Sequence, residues 1–190
     1  MSKDVVAFYM QISINVKVRT EECKKKMAEE KKNKTKLIVV KDYGNRGKTT
    51  LIWMVLLELI NKRGATKNWC TYISNNEEMA IPESLPPYEE RWNFKADLLW
   101  ENLHIVIISH GDTYEKVDRM LQEALQTQPD YIICAANMKH WGFYTWQLFE
   151  AKYTNIDYDR VCFWSERAQN KNDEELVKRP TVEAIIKYIS

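Results

Sequence analysis

The stretch Leu37-Ile38-Val39-Val40-Lys41-Asp42-Tyr43-Gly44-Asn45-Arg46-Gly47-Lys48-Thr49-Thr50 runs on into Leu51-Ile52-Trp53-Met54-Val55-Leu56-Leu57-Glu58-Leu59-Ile60. A short apolar run, a turn holding two glycines and a long apolar segment predict a buried strand, a tight turn and a helix in that order. Such a turn aims backbone N–H groups and the positive end of the helix dipole into one concavity, which favours an anion. Lys48 adds a positive charge there, and the Thr49 hydroxyl can hold a magnesium ion. Asp42 stands at the entrance to the turn. A carboxylate there repels phosphate unless it points away or is neutralised, with Arg46 and Lys41 the nearby cations.

Working outward, the chain alternates apolar segments of strand length and helix length. Trp69–Ile73 reads as a strand and residues 74–90, with Pro82, Pro86 and Pro87, as an irregular loop. Trp92, Phe94, Ala96 and Leu98 alternate as a strand, and Glu101-Asn102 reads as a tight turn into Leu103–Ile108. Leu103–Ile108 is apolar on both faces, so it belongs in the middle of a sheet. Thr113–Gln128 carries Val117, Met120, Leu121, Ala124 and Leu125 on one stripe and reads as an amphipathic helix. Tyr131–Ala135 and Val161–Trp164 read as strands, Tyr144–Lys152 and Val182–Ile189 as helices. This alternation predicts an α/β fold: a three-layer sandwich around a mainly parallel, mixed sheet. The expected domains are 1–36, an N-terminal strand with a charged helix or linker, and 37–190, the nucleotide-binding part.

In the first of these, Val6, Phe8, Met10, Ile12, Ile14, Val16 and Val18 alternate with polar residues, as a half-buried strand does. Residues 20–36 pair Glu21 with Lys25, Glu22 with Lys26 and Glu30 with Lys34 at helical spacing, which reads as a solvated helix or stiff linker. An exposed strand at 5–18 needs cover, from a second copy of the chain or from its own sheet, so a homo-oligomer through 5–18 is one expectation.

Composition narrows the function classes. A net charge of +1 and no aromatics interleaved with the lysines of 24–36 argue against nucleic acid as partner. Cys23, Cys70, Cys134 and Cys162 form no Cys-x-x-Cys pair, which argues against zinc and for reduced thiols in a cytoplasmic protein. No apolar run approaches the roughly 18 residues of a membrane span.

Three turns follow predicted strands at their carboxyl ends, where open α/β sheets bind ligands. The first is Gly44–Thr50. The second is Ser109-His110-Gly111-Asp112, where Asp112 reads either as a holder of magnesium-bound water or as the N-cap of a capping box with Glu115. His110 reads mainly as structural. The third is 137–143, where Asn137 is the polar candidate and Trp141, Phe143 and Trp146 read as anchors for the next helix. Asn170-Lys171-Asn172-Asp173 matches a guanine-reading pattern but stands too far beyond its strand, and reads as a solvated loop. Arg160, Arg167 and Arg179 are candidates for a closing lid, with simple exposure as the alternative.

The unit Gly44-Asn45-Arg46-Gly47-Lys48-Thr49-Thr50 between strand and helix, with Ser109-His110-Gly111-Asp112 at a later strand end, resembles the P-loop NTPase superfamily over about residues 37–190. The general look is of a small bacterial or phage-type ATPase. The resemblance implies ATP or another nucleoside triphosphate with Mg2+. Gly44, Asn45, Arg46, Gly47, Lys48, Thr49 and Thr50 would bind the nucleotide, Lys48 and Asp112 would be catalytic, and Thr49 and Asp112 would hold the metal. The implied function is a small ATPase (a hydrolase) or ATP-dependent switch. A kinase passing the γ-phosphoryl group to a small acceptor is the alternative, and a degenerate nucleotide-binding assembly module the second. A kinase would place acceptor-binding acids and arginines in 74–95, which holds Glu77, Glu78, Glu83, Glu89, Glu90 and Arg91.

Overall fold

The computed structural model describes residues 35–43, 47–138, 144–155, 157–170 and 173–190. The chain divides into two units, Met1–Lys34 and Thr35–Ser190. The strand expected at 5–18 and nearly all of the charged segment at 20–36 lie outside the described residues, as does the turn Gly44–Arg46.

Strand β1 (Lys36–Asp42) is buried on both faces except near its ends, as its apolar run requires. Helix α1 (Lys48–Leu57) follows and continues as one wide π turn over Glu58–Lys62. Every residue of α1 except Thr49 is buried. A helix apolar all round must be covered on every side, and here the sheet, the last helix and the segment holding Met79, Ile81 and Leu85 provide that cover. Gly64, at φ +72°, ends the helix.

The remaining elements are β2 (Thr66–Tyr72), β3 (Phe94–Trp100), β4 (Leu103–Ile108), α2 (Tyr114–Gln126), β5 (Tyr131–Asn137), α3 (Thr145–Ala151), β6 (Asp159–Trp164) and α4 (Glu174–Ile189). The six strands form one sheet in the order β2-β3-β4-β5-β1-β6. β1 pairs in parallel with β5 and β6, β4 pairs in parallel with β5, and β3 pairs antiparallel with β2 and β4. β3 alone therefore runs against the other strands, and the sheet is mixed as expected. The β3–β4 connection turns at Glu101 and Asn102, both at positive φ (49° and 68°), the geometry that two-residue hairpins favour because its twist matches that of the strands.

Period two on the strands sorts the core into two. Ile38, Val40, Ile105, Ile107 and Ile133 pack under α1 and α4. Leu37, Val39, Val106, Ile108 and Ile132 pack under α2 and α3. The result is three layers, helices on both faces of one sheet.

The boundary that differs most from the sequence reading is the start of the last helix; β2 also begins three residues before Trp69. The last helix starts at Glu174, eight residues before Val182, and runs through Pro180. Its early turns are held by side chains, because Glu174 and Lys178 are buried against the turn before α1. That tertiary anchoring offsets the backbone bond lost at proline.

Candidate functional site

Parallel pairing brings the carboxyl ends of β1, β4, β5 and β6 to one rim of the sheet. Asp42 is opposite Asn137 and Lys41 is opposite Trp164 in the register. Residues 95 and 123 positions apart in the chain are thereby neighbours.

Lys48, the first residue of α1, is 6% exposed. Its ammonium donates to Oδ1 of Asn137 at 2.6 Å and to the carbonyl of Tyr43 at 3.2 Å. The amide of Asn137 donates in turn to Oδ1 of Asp112 at 2.6 Å. Asn137 thus uses both ends of its side chain to join the lysine at the helix start to the carboxylate beyond β4. Thr145 holds the two strand ends in place: its hydroxyl donates to the carbonyl of Gly111 at 2.5 Å and accepts from the N–H of Asn137 at 2.6 Å. Gly111 permits the approach, since a Cβ there would lie 2.8 Å from Cβ of Ala135.

These residues border a cavity of about 180 Å³, lined by Gly47, Lys48, Thr49, Thr50, Ser109, Gly111 and Asp112, with Tyr88 and Arg91 from the segment before β3. The lining is mainly polar. Thr49 and Asp112 both reach it, and hydroxyl and carboxylate oxygens suit a hard cation such as magnesium. Among the described residues no group of three or more His, Cys, Asp and Glu side chains is placed to hold a metal by itself. A metal here would take part of its shell from a phosphate or water.

Asp112 is not the cap of α2. The N-cap is Thr113, which makes no side-chain cap bond, and the Asp112 carboxylate is engaged by Asn137 instead. Of its two readings, the helix-capping one is overturned.

Asp42 is buried, and one of its oxygens accepts from the N–H of Tyr43 at 2.6 Å. Among the described residues Lys178 of α4 feels its charge, and Lys41 points elsewhere. Lys41 lies on the opposite sheet face, its ammonium 4.4 Å from the ring centre of Trp146 and 4.9 Å from that of Trp164. Period two explains this: residues 41 and 42 of one strand cannot face the same way.

Lys178 is 1% exposed and donates to the carbonyl of Glu166 at 2.6 Å. Burial pushes its pKa below the ordinary lysine value, while Glu174, Asp42 and Glu166 act to raise it. Lys178 and Glu174 press on Gly47, where an added Cβ would stand 2.4 Å from Oε1 of Glu174 and 2.7 Å from Nζ of Lys178. Gly47 is also at φ +80°, so glycine is required there twice over. Arg91 completes the group. Its guanidinium donates to Oε2 of Glu174 at 2.7 Å and to the Thr50 hydroxyl at 3.0 Å.

Lys178 is the cation that sequence reasoning missed, and Arg91, read only as an acceptor-binding candidate of a kinase, lines the cavity. No local signal marks Lys178, because a helix residue more than a hundred positions from the turn reaches it only through the packing of α4 on α1. Arg160 and Arg179, read as lid candidates, lie elsewhere: Arg160 donates to the carbonyls of Phe149 and Tyr153, and Arg179 pairs with Glu58 and Glu175. Asn170 and Asp173 bond each other before α4, as a local polar loop does.

His110 is buried, with Nδ1 3.3 Å from the amide of Asn93, whose oxygen lies 3.4 Å from the Thr49 hydroxyl. Its Nε2 has no hydrogen-bond partner among the described residues. Burial lowers its pKa, with Asp112 opposing the shift and Lys116 adding to it. Ser109 bonds the backbone N–H and carbonyl of Phe94 and ties β3 to the end of β4. Asn45 and Arg46 are outside the described residues.

Comparison of the chain with protein-family models, with curated proteins and with solved structures finds no match to any of them. Among the described residues no helix is long and apolar enough to cross a membrane.

Proposed function

We propose that the protein binds ATP or another nucleoside triphosphate with magnesium at the turn between β1 and α1, and works as a small ATPase or ATP-dependent switch. The observation that carries this reading is the Lys48–Asn137–Asp112 chain, whose two charged ends line the cavity. A charge at the start of α1, an amide at the end of β5 and a carboxylate beyond β4 are joined there, a set that suits the outer phosphates of a nucleotide. Lys48 would shift from Asn137 to a phosphate oxygen, and Asn137 would be left to orient a water or a phosphate. Thr49 and Asp112 would hold magnesium, which neutralises charge on the phosphates when bound. Gly47 and Lys48 would offer backbone N–H groups at the positive end of α1. Burial of Asp42 against the Tyr43 N–H, with Lys178 beside it, keeps that carboxylate from repelling the nucleotide.

The experiment is calorimetric titration of the chain and of Lys48→Ala with ATP and magnesium. Binding by the wild type and its loss in a folded Lys48→Ala protein are expected. Equal affinity in both would defeat the proposal.

One observation favours the kinase alternative. Arg91, from the segment where a kinase would carry acceptor-binding groups, lines the same cavity as Asp112. Turnover measured with and without small phosphate acceptors separates the two, since a kinase accelerates when the acceptor is supplied and a hydrolase does not.

A further inference from the structure

The cavity of about 180 Å³ accepts phosphate groups but is smaller than the roughly 300 Å³ at which pockets begin to enclose a whole small-molecule ligand. A nucleotide whose phosphates fill it must leave its base outside. Exposed aromatic rings stand on two sides. Tyr88, 45% exposed, lines the cavity together with Asp112. Tyr43 and Trp164, 42% and 48% exposed, stand at the ends of β1 and β6.

The strand order separates them. β4, which leads to Asp112, and β6, which ends in Trp164, lie on opposite sides of β1. With the outer phosphates among Lys48, Thr49 and Asp112, a nucleotide extended along the rim over β1 would bring its base to the β6 side.

We propose that Tyr43 and Trp164 form the platform on which the nucleobase stacks; this rests on the phosphate-binding reading above. Their ring centres are 6.4 Å apart with the planes tilted by 37°, so the two form an aromatic pair rather than isolated side chains. Trp164 is fixed from behind. Lys41, its register partner on β1, shares its sheet face and sets an ammonium 4.9 Å from its ring centre, and the Ser165 N–H donates to the Lys41 carbonyl at 3.2 Å. A ring held in one orientation binds a base with little ordering cost. Stacking of this kind accepts any base with a π face, and its loss on alanine substitution weakens binding by about tenfold or more.

The test is titration of the full chain with magnesium-ATP and with magnesium-tripolyphosphate, which has the phosphates and no base. Wild type is expected to bind ATP the more tightly. Trp164→Ala is expected to lose about tenfold for ATP and nothing for tripolyphosphate, with Trp164→Phe recovering most of the loss and Tyr43→Ala showing a smaller selective one. Unchanged ATP affinity in both alanine variants overturns the platform, as does wild-type binding of tripolyphosphate as tight as that of ATP. Equal loss of both ligands in Trp164→Ala overturns it too, since the residue then only supports the rim. A selective loss of ATP in Tyr88→Ala instead puts the base on the Asp112 side and overturns it likewise. In all these cases tripolyphosphate binding by the wild type leaves the phosphate reading standing. Wild type that binds neither ligand overturns both.

Discussion

The ammonium of Lys48 meets the side-chain oxygen of Asn137 at 2.6 Å, across 89 positions of chain. Both groups are nearly inaccessible, Asn137 at 1% exposure and Lys48 at 6%. A buried lysine without an acceptor is costly, so the pair keeps the cation in position ahead of any phosphate. Replacing Asn137 by Ala removes an acceptor from Lys48 and a donor from Asp112 at once. Expected outcomes are a loss of about 1–3 kcal/mol in denaturant unfolding and a larger fractional fall in ATP turnover than in ATP affinity.

Asp112 separates metal support from folding. In Asp112→Asn the new side chain can still accept from Asn137 through its oxygen but carries no charge. Stability by thermal unfolding is expected to stay within about 1 kcal/mol of wild type, while magnesium-dependent hydrolysis falls at least tenfold. Full activity in a less stable variant would return Asp112 to a structural role.

Gly47→Ala strains the backbone at φ +80° and drives a methyl group into Glu174 and Lys178. Those side chains cannot simply withdraw, because Arg91 holds one and the Glu166 carbonyl the other. A destabilisation of about 1–3 kcal/mol is expected in urea unfolding, with loss of nucleotide binding. An exposed glycine such as Gly64, with nothing within 4 Å of its added Cβ, keeps the φ cost alone, so Gly64→Ala should be the milder variant.

Asp118 joins α2 to the end of α3. It accepts from the Lys152 ammonium at 2.8 and 2.9 Å, from the Tyr153 hydroxyl at 2.8 Å and from Gln122 at 3.0 Å. Burial acts to raise its pKa, but these bonds outweigh burial and hold it below the ordinary 3.8. The folded state therefore favours the ionised carboxylate. The stabilisation is full above the unfolded pKa and is lost as the pH falls through the lower folded value. Asp118→Asn is expected to be about 0.5–1 kcal/mol less stable than wild type at pH 7, given the partial exposure of the Lys152 ion pair. The gap should close as unfolding is followed downwards from pH 3.8.

Local pattern was enough to specify the α/β class, the two-residue turn at Glu101-Asn102, the central place of Leu103–Ile108 and the strand and helix around Lys48. Each of these depends on periodicity or on neighbours within a few positions, which a chain carries openly. The linking of Lys48 to Asp112 through Asn137, the turning of Lys41 to Trp164 while Asp42 faces Lys178, and the arrival of Arg91 beside Thr50 were settled by packing. Parallel strands are joined through helices, so their registers depend on which helix faces find cover, and no local signal states that. The start of α4 at Glu174 followed from the same cause. Its polar first turns have little apolar pattern, and they hold as helix because Glu174 and Lys178 are buried against Gly47.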